Sequence, residues 1–192
     1  MDASTPHSYR EHDTVIKPYL LILRGPVGIG KSALSRSLGK GLGSPVVDKD
    51  DFSDVLMTCL ENYGPLAYES MFSPTKSLLN QGFSVVCESP LRGEMGYLHA
   101  EKLAENTPAA LRILNCTLSD EALWKTRLET RQRRPAHVLK TWTDLTRYRK
   151  QAANDFDYPV AAPVLNIDMA APLEQLTEKV VTWLEHSKKG AS

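Results

Sequence analysis

One eight-residue run constrains this chain more than anything else in it. Gly25-Pro26-Val27-Gly28-Ile29-Gly30-Lys31-Ser32 fits the pattern G-x-x-x-x-G-K-[ST] and directly follows the apolar stretch YLLILR. Behind it, Leu34, Leu38 and Leu42 recur every four residues, the spacing of an amphipathic helix. Strand, glycine loop and helix in that order curl the backbone so that successive N–H groups point at phosphate oxygens, with the positive end of the helix behind them. Gly25, Val27, Gly28, Ile29, Gly30, Lys31, Ser32 and Ala33 are therefore the candidate nucleotide cradle. Lys31, expected at an exposed turn, would bridge the β- and γ-phosphates of ATP, and Ser32 would place its hydroxyl on Mg²⁺. The motif implies a nucleotide; it does not name a reaction.

The rest of the chain alternates short aliphatic runs with stretches of helical period, the pattern of a parallel sheet wrapped by helices. Strands are expected at Tyr19 to Arg24, Pro45 to Asp48, Phe83 to Glu88, Leu111 to Cys116 and Val164 to Asp168. That gives an α/β fold of three αβα layers around a five-stranded parallel sheet. Phe52, Val55, Leu56, Cys59 and Leu60 read as the inward face of one helix, and Leu173, Leu176, Val180 and Leu184 as that of the closing helix. Ser73-Pro74 either opens a new helix or interrupts a longer one beginning near Pro65. Cys59, Cys87 and Cys116 are far apart among apolar neighbours and read as buried thiols. Residues 1–17 are polar and aperiodic and read as a mobile leader, with one domain over 18–188.

Charge narrows the partners. Lys plus Arg and Asp plus Glu each total 23, so no global field draws the chain to nucleic acid or an anionic membrane, and any anion site must be local. No basic face with interleaved aromatics is visible, which argues against nucleic acid. The apolar runs fall far short of the roughly 20 residues a membrane-spanning helix needs. With no signal-peptide pattern at the N-terminus, the expected compartment is the cytoplasm. A small-molecule partner is expected, for a monomer or homodimer.

The second expected strand ends in Val47-Asp48-Lys49-Asp50-Asp51, putting three acids at the carboxyl edge of the sheet, where ligands of open α/β folds bind. A hydroxyl that accepts a phosphoryl group needs a carboxylate to take its proton, and Mg²⁺ needs hard oxygens. Asp48 or Asp50 could equally cap the helix expected to start near Phe52. The third strand ends in Glu88, followed by Ser89-Pro90-Leu91-Arg92, where Arg92 could clamp an anionic or polyhydroxy acceptor. Further on, Arg127 and Arg131 stand one helical turn apart, ahead of Arg133-Arg134-Pro135.

Together these features resemble the P-loop kinase group that includes shikimate and gluconate kinases, chloramphenicol phosphotransferase, zeta toxins and polynucleotide kinase 5′-phosphoryl domains, over residues 19–186. The resemblance implies a phosphotransferase acting on a hydroxyl of a sugar, antibiotic or other metabolite. It makes Asp50 the base and Asp48 the better candidate for holding Mg²⁺-bound water; Glu88 matches the acid that ends the group's second nucleotide motif, in a water-mediated metal role or a substrate-facing one, with Arg92 beside it on the substrate side. It also implies an arginine-bearing lid over about 127–140, with Arg127 near adenine or phosphates and Arg131 and Arg134 reaching the β- and γ-phosphates, Arg131 taking part in catalysis. Thr141-Trp142-Thr143-Asp144-Leu145 is similar to a T-W-x-[DE]-L pattern of the group, and the loop from Asp168 to Pro172 would touch adenine through its backbone. His137 reads as structural or solvent-facing. A nucleoside, nucleotide or polynucleotide 5′-kinase, or a nucleotide-gated binding protein, would use the same cradle; a GTPase would need N-K-x-D and D-x-x-G signatures, which are absent.

Overall fold

Tyr19–Arg24 (β1) is buried along its whole length, as a strand must be when helices cover both faces of its sheet. In a computed structural model that describes residues 17–152 and 155–189, it is the central strand of five. The others are Val46–Asp48 (β2), Val85–Glu88 (β3), Ala110–Thr117 (β4) and Val164–Asp168 (β5), in the order β2-β3-β1-β4-β5 with every pairing parallel. Apart from Lys17, the leader expected over 1–17 lies outside the described residues.

Among the described residues seven helices complete the layers: Lys31–Leu42 (α1), Lys49–Leu56 (α2), Gly64–Asn80 (α3), Glu94–Glu105 (α4), Glu121–Thr130 (α5), Trp142–Gln151 (α6) and Leu173–Lys189 (α7). Alternation along β1 divides the core. Tyr19, Leu21 and Leu23 join Leu34, Leu38, Leu176, Val180 and Leu184 on one face, while Leu20 and Ile22 join Met71, Leu79, Tyr97 and Leu103 on the other. The chain passes from β1 out to β2, back to β3, then across β1 to β4. The resulting crevice lies at the carboxyl ends of the strands, where the glycine loop sits.

One open choice closes and two local expectations change. Ser73-Pro74 does not start a helix: α3 runs through Pro74, and buried Thr75 anchors the turn by donating to the Met71 carbonyl at 2.8 Å. The second helix begins at Lys49 rather than near Phe52, because Asp48 is its N-cap and accepts the Asp50 N–H at 2.9 Å. Its expected inward face is mostly not inward. Val55 is 65% and Leu60 42% exposed, and Cys59 is an exposed thiol: the helix ends at Leu56, so Cys59 and Leu60 lie beyond it, while Phe52 packs against the core and Ser53 is buried. Cys87 and Cys116 are buried as expected, and burial pushes both thiols up to about 12. Among the described residues no helix is long and apolar enough to cross a membrane.

Candidate functional site

The glycine loop spans β1 and α1 and lies at the wall of a cavity of about 800 Å³. Its shape requires glycine: Gly25 has φ 139°, and a Cβ there would stand 2.2 Å from the Cys116 carbonyl oxygen. Lys31 is not at an exposed turn. It is only 7% exposed, because its Nζ folds back to donate to the carbonyls of Gly25 at 2.9 Å and Pro26 at 2.8 Å. Burial pulls its ammonium below the usual lysine range, opposed by nearby Glu88.

The loop is also held from outside by α5. Trp124 Nε1 donates to the Val27 carbonyl at 2.8 Å, Arg127 Nη1 donates to those of Ile29 and Met169 at 2.8 Å each, and Leu128 packs over Gly28 so closely that a Cβ on Gly28 would meet it at 2.9 Å. Trp124 and Leu128 escaped sequence reading because an apolar residue at helical spacing looks like any core position. Arg127 does lie beside the cradle, tying it to the loop after β5, where Met169 also lines the cavity.

Three carboxylates line the cavity: Asp48, Asp50 and Glu88. Parallel pairing of β2 and β3 sets Asp48 beside Glu88. Glu88 is buried and accepts from Ser32 Oγ at 2.6 Å and Ser35 Oγ at 3.0 Å, so it lies at the Ser32 end of the cradle. Burial, and then the Glu88 charge, raise the Asp48 carboxyl to about 7 against the opposing Asp50 N–H and Arg134. Asp50 differs from both. Its carboxylate accepts no hydrogen bond from any described residue; Lys49 Nζ is 3.6 Å from Oδ1 and His137 Nε2 is 3.8 Å from Oδ2.

Residues 20–152 match the family model described as AAA domain. The chain belongs to the AAA domain family. No curated protein matches it. Among solved structures, this AAA domain chain is similar to a candidate kinase from Chloroflexus aurantiacus J-10-fl at 23% identity and TM-score 0.69, covering 88% of this chain and 97% of that one. It is similar to a sugar kinase from Janibacter sp. HTCC2649 at 17% and 0.65, covering 91% and 99%. A gluconokinase from Sinorhizobium meliloti 1021 aligns at 16% and 0.61, covering 91% and 95%. The fold is that of the P-loop small-kinase group, over nearly the full length of each of these neighbours.

In this AAA domain chain the remaining arginines, Arg92, Arg131 and Arg134, all line the cavity, and Arg134 is the one whose contacts depart from the resemblance. Arg134 reaches α2 instead of the phosphate loop: Nη1 meets Asp48 at 3.1 Å, Nη2 meets Asp51 at 2.7 Å and Nε meets Asp54 at 2.8 Å. The N-cap carboxylate of α2 and two carboxylates from within the helix surround a five-donor fork, and the hydrogen bonds to Asp54 and Asp51 raise the Arg134 pKa further. Arg131 lines the cavity and donates to the Leu139 carbonyl at 2.9 Å, and burial lowers its pKa. Arg92 lies at the cavity edge with its guanidinium 4.8 Å from the Tyr148 ring. It follows Leu91, a buried residue held at φ 45° with its carbonyl accepting from Tyr158 Oη at 2.6 Å.

Two further sequence readings resolve. The T-W-x-D-L segment has a structural basis: Thr141 and Asp144 form a reciprocal capping box for α6, Trp142 meets Trp124 edge-on at 5.8 Å, and Leu145 is buried. Tyr63 and Tyr68 of the α3 region line the cavity, whereas Met71 and Phe72 belong to the core. His137, read from sequence as structural or solvent-facing, also lines the cavity.

Proposed function

We propose that this chain is an ATP-dependent phosphotransferase that moves the γ-phosphoryl group to a hydroxyl of a small molecule. The observation that carries the reading is the state of Asp50: among the described residues, it alone of the three carboxylates lining the cavity accepts no hydrogen bond. A general base must keep its oxygens open to the proton it will take, and an acid held by serines or capping a helix does not.

The backbone of Gly25 to Ala33 would cradle the phosphates, with Lys31 turning from its two carbonyls to the β- and γ-oxygens. Hard oxygens from Ser32, Glu88 and Asp48 gather at one end of the cradle, and among the described residues no group of three or more His, Cys, Asp and Glu forms a closed metal cage. That suits Mg²⁺, which takes one or two side chains and completes its shell with phosphates and water. When bound, Mg²⁺ neutralises charge on the β- and γ-phosphates. Ser32 and Glu88 would face it, with Asp48 behind through water; of the two roles open to Glu88, this reading takes the metal side. Asp50 takes the proton of the acceptor hydroxyl as its oxygen bonds to the γ-phosphorus and the bond to the β-phosphate oxygen breaks. Arg131, from the segment over the cavity, would offset charge on the transferring group, and Arg92 would meet an anionic or polyhydroxy acceptor.

ATP consumption measured with sugars, sugar acids, shikimate, nucleosides and aminoglycoside or phenicol antibiotics tests the reading. An alcohol acceptor that raises consumption and is itself phosphorylated is the expected result. ATP bound tightly with no acceptor phosphorylated would turn the chain into a nucleotide-gated binding protein.

A further inference from the structure

Asp50 has one neighbour that no sequence signal marked. His137 sits in the segment between α5 and α6, eighty-odd residues from the acid tip, yet its Nε2 is 3.8 Å from Asp50 Oδ2. The side chain is largely buried, at 15% exposure. Its other nitrogen, Nδ1, accepts the backbone N–H of Arg134 at 3.3 Å, and the His137 N–H returns a bond to the Arg134 carbonyl at 3.0 Å. An Nδ1 that accepts fixes the tautomer: the ring proton is on Nε2, the nitrogen that stands 3.8 Å from the Asp50 carboxylate. The turn is pinned to α2 by Asp54, which accepts the Ala136 N–H at 2.6 Å and Arg134 Nε at 2.8 Å. So the ring is held from behind and its donor faces the open acid.

We infer that His137 is a positioning residue for the base: its Nε2, 3.8 Å from Asp50 Oδ2, meets that oxygen by an electrostatic contact longer than a hydrogen bond and biases the carboxylate so that the other oxygen is presented to the acceptor hydroxyl. The inference rests on the phosphotransferase reading for its role, and on geometry alone for the pairing. His137 keeps its proton throughout; the hydroxyl proton goes to Asp50. The groups that face the ring are Asp50 and Asp54 from α2, and Arg131 and Arg134 from its own segment. Burial, with Arg131 next, holds its pKa below the usual histidine range, so it stays a neutral donor at pH 7. A protonated ring would pair with Asp50 as a salt bridge and weaken it as a base. The orientation of the acid also becomes conditional on the 131–139 segment lying against α2, because that segment supplies the donor.

Two measurements test this. In the full chain without ligand, a ¹⁵N NMR titration of the His137 ring should show the Nε2–H tautomer, and Asp50→Asn, which removes a facing negative charge, should lower its midpoint by about half a pH unit. An Nδ1–H tautomer, or a midpoint unmoved by Asp50→Asn, overturns the pairing. In kinetics with Mg·ATP and the alcohol acceptors above, or water where none is found, His137→Ala should lower kcat about 10-fold with the KM for ATP within about 2-fold, and His137→Gln, which keeps an N–H donor, should recover most of it. Wild-type kcat in His137→Ala, or equal losses in Ala and Gln variants, overturns the positioning role. Failure of the underlying reading looks different: Asp50→Asn itself would then keep wild-type turnover.

Discussion

Ser32 donates its hydroxyl proton to Glu88 across 2.6 Å, joining the first turn of the helix behind the phosphate loop to the tip of the third strand. Ser35, one turn on, donates to the other oxygen at 3.0 Å. Glu88 thus sits beside the loop serine that the proposed mechanism turns toward Mg²⁺, and its charge offsets that of buried Lys31.

Glu88→Gln should leave the fold nearly intact, since an amide oxygen can still accept from one serine. Its melting temperature should fall by a few degrees, about 1 kcal/mol of stability. Nucleotide affinity in the presence of Mg²⁺ should fall about 10-fold, while affinity in EDTA stays within about 2-fold. Calorimetric titration with and without the metal checks both. An equal loss in EDTA would place Glu88 outside the metal shell.

Neighbouring acids should behave unequally. Asp50→Asn should lower phosphoryl transfer at least about 100-fold while the ATP Kd stays within about 3-fold, because the amide keeps the shape and removes the base. Asp51→Asn should change kcat less than about 3-fold: its side chain is 66% exposed and its charge is spent on Arg134. If Asp48→Asn stops transfer with nucleotide binding preserved and Asp50→Asn does not, the base is Asp48.

The third expectation concerns pH. The folded-state pKa of Asp48, about 7, lies above the ordinary aspartate value of 3.8, so the native chain holds a proton that the unfolded chain has released. The contribution is full below about pH 4 and is lost as pH rises through about 7. In EDTA, then, Asp48→Asn should flatten the decline in melting temperature between pH 4.5 and 8, with its largest gain over wild type at the alkaline end. Parallel wild-type and variant curves would show that Asp48 is ionised throughout.

Gly25 gives a prediction of stability rather than chemistry. A Cβ at this position would sit 2.2 Å from the Cys116 carbonyl, on a residue with φ 139°. Gly25→Ala should cost about 3 kcal/mol or more, roughly 10 °C in melting temperature, by thermal denaturation. Gly43→Ala, also at positive φ but with open space around its Cβ, should cost about 1 kcal/mol.

The order of strands and helices was legible because burial on both faces leaves strands such as YLLILR continuously apolar, and the cradle because its geometry admits few residues. What sequence could not carry was pairing between distant side chains. Nothing in the run Arg131 to Arg134 says that Arg134 turns to Asp48, Asp51 and Asp54, since three carboxylates spaced along one helix compete for a guanidinium only once the chain is folded. The face of α2 was misread for a related reason. Apolar spacing marks one side of a helix, but whether that side meets anything depends on the neighbours, and beyond β2 there is little for Val55 to meet. His137 was hidden by the same distance in sequence.

The grip of α5 on the glycine loop has a consequence for how binding energy is used. Trp124 and Arg127 hold three carbonyls, two of them in the loop, and Leu128 backs Gly28. The loop therefore loses its conformational freedom when the chain folds, not when an anion arrives, and little of an incoming nucleotide's affinity is consumed in ordering it. Nucleotide recognition in this chain is thus inherited from the packing of a helix whose Trp124 and Leu128 are apolar core, and damage to that packing would register as weakened phosphate binding.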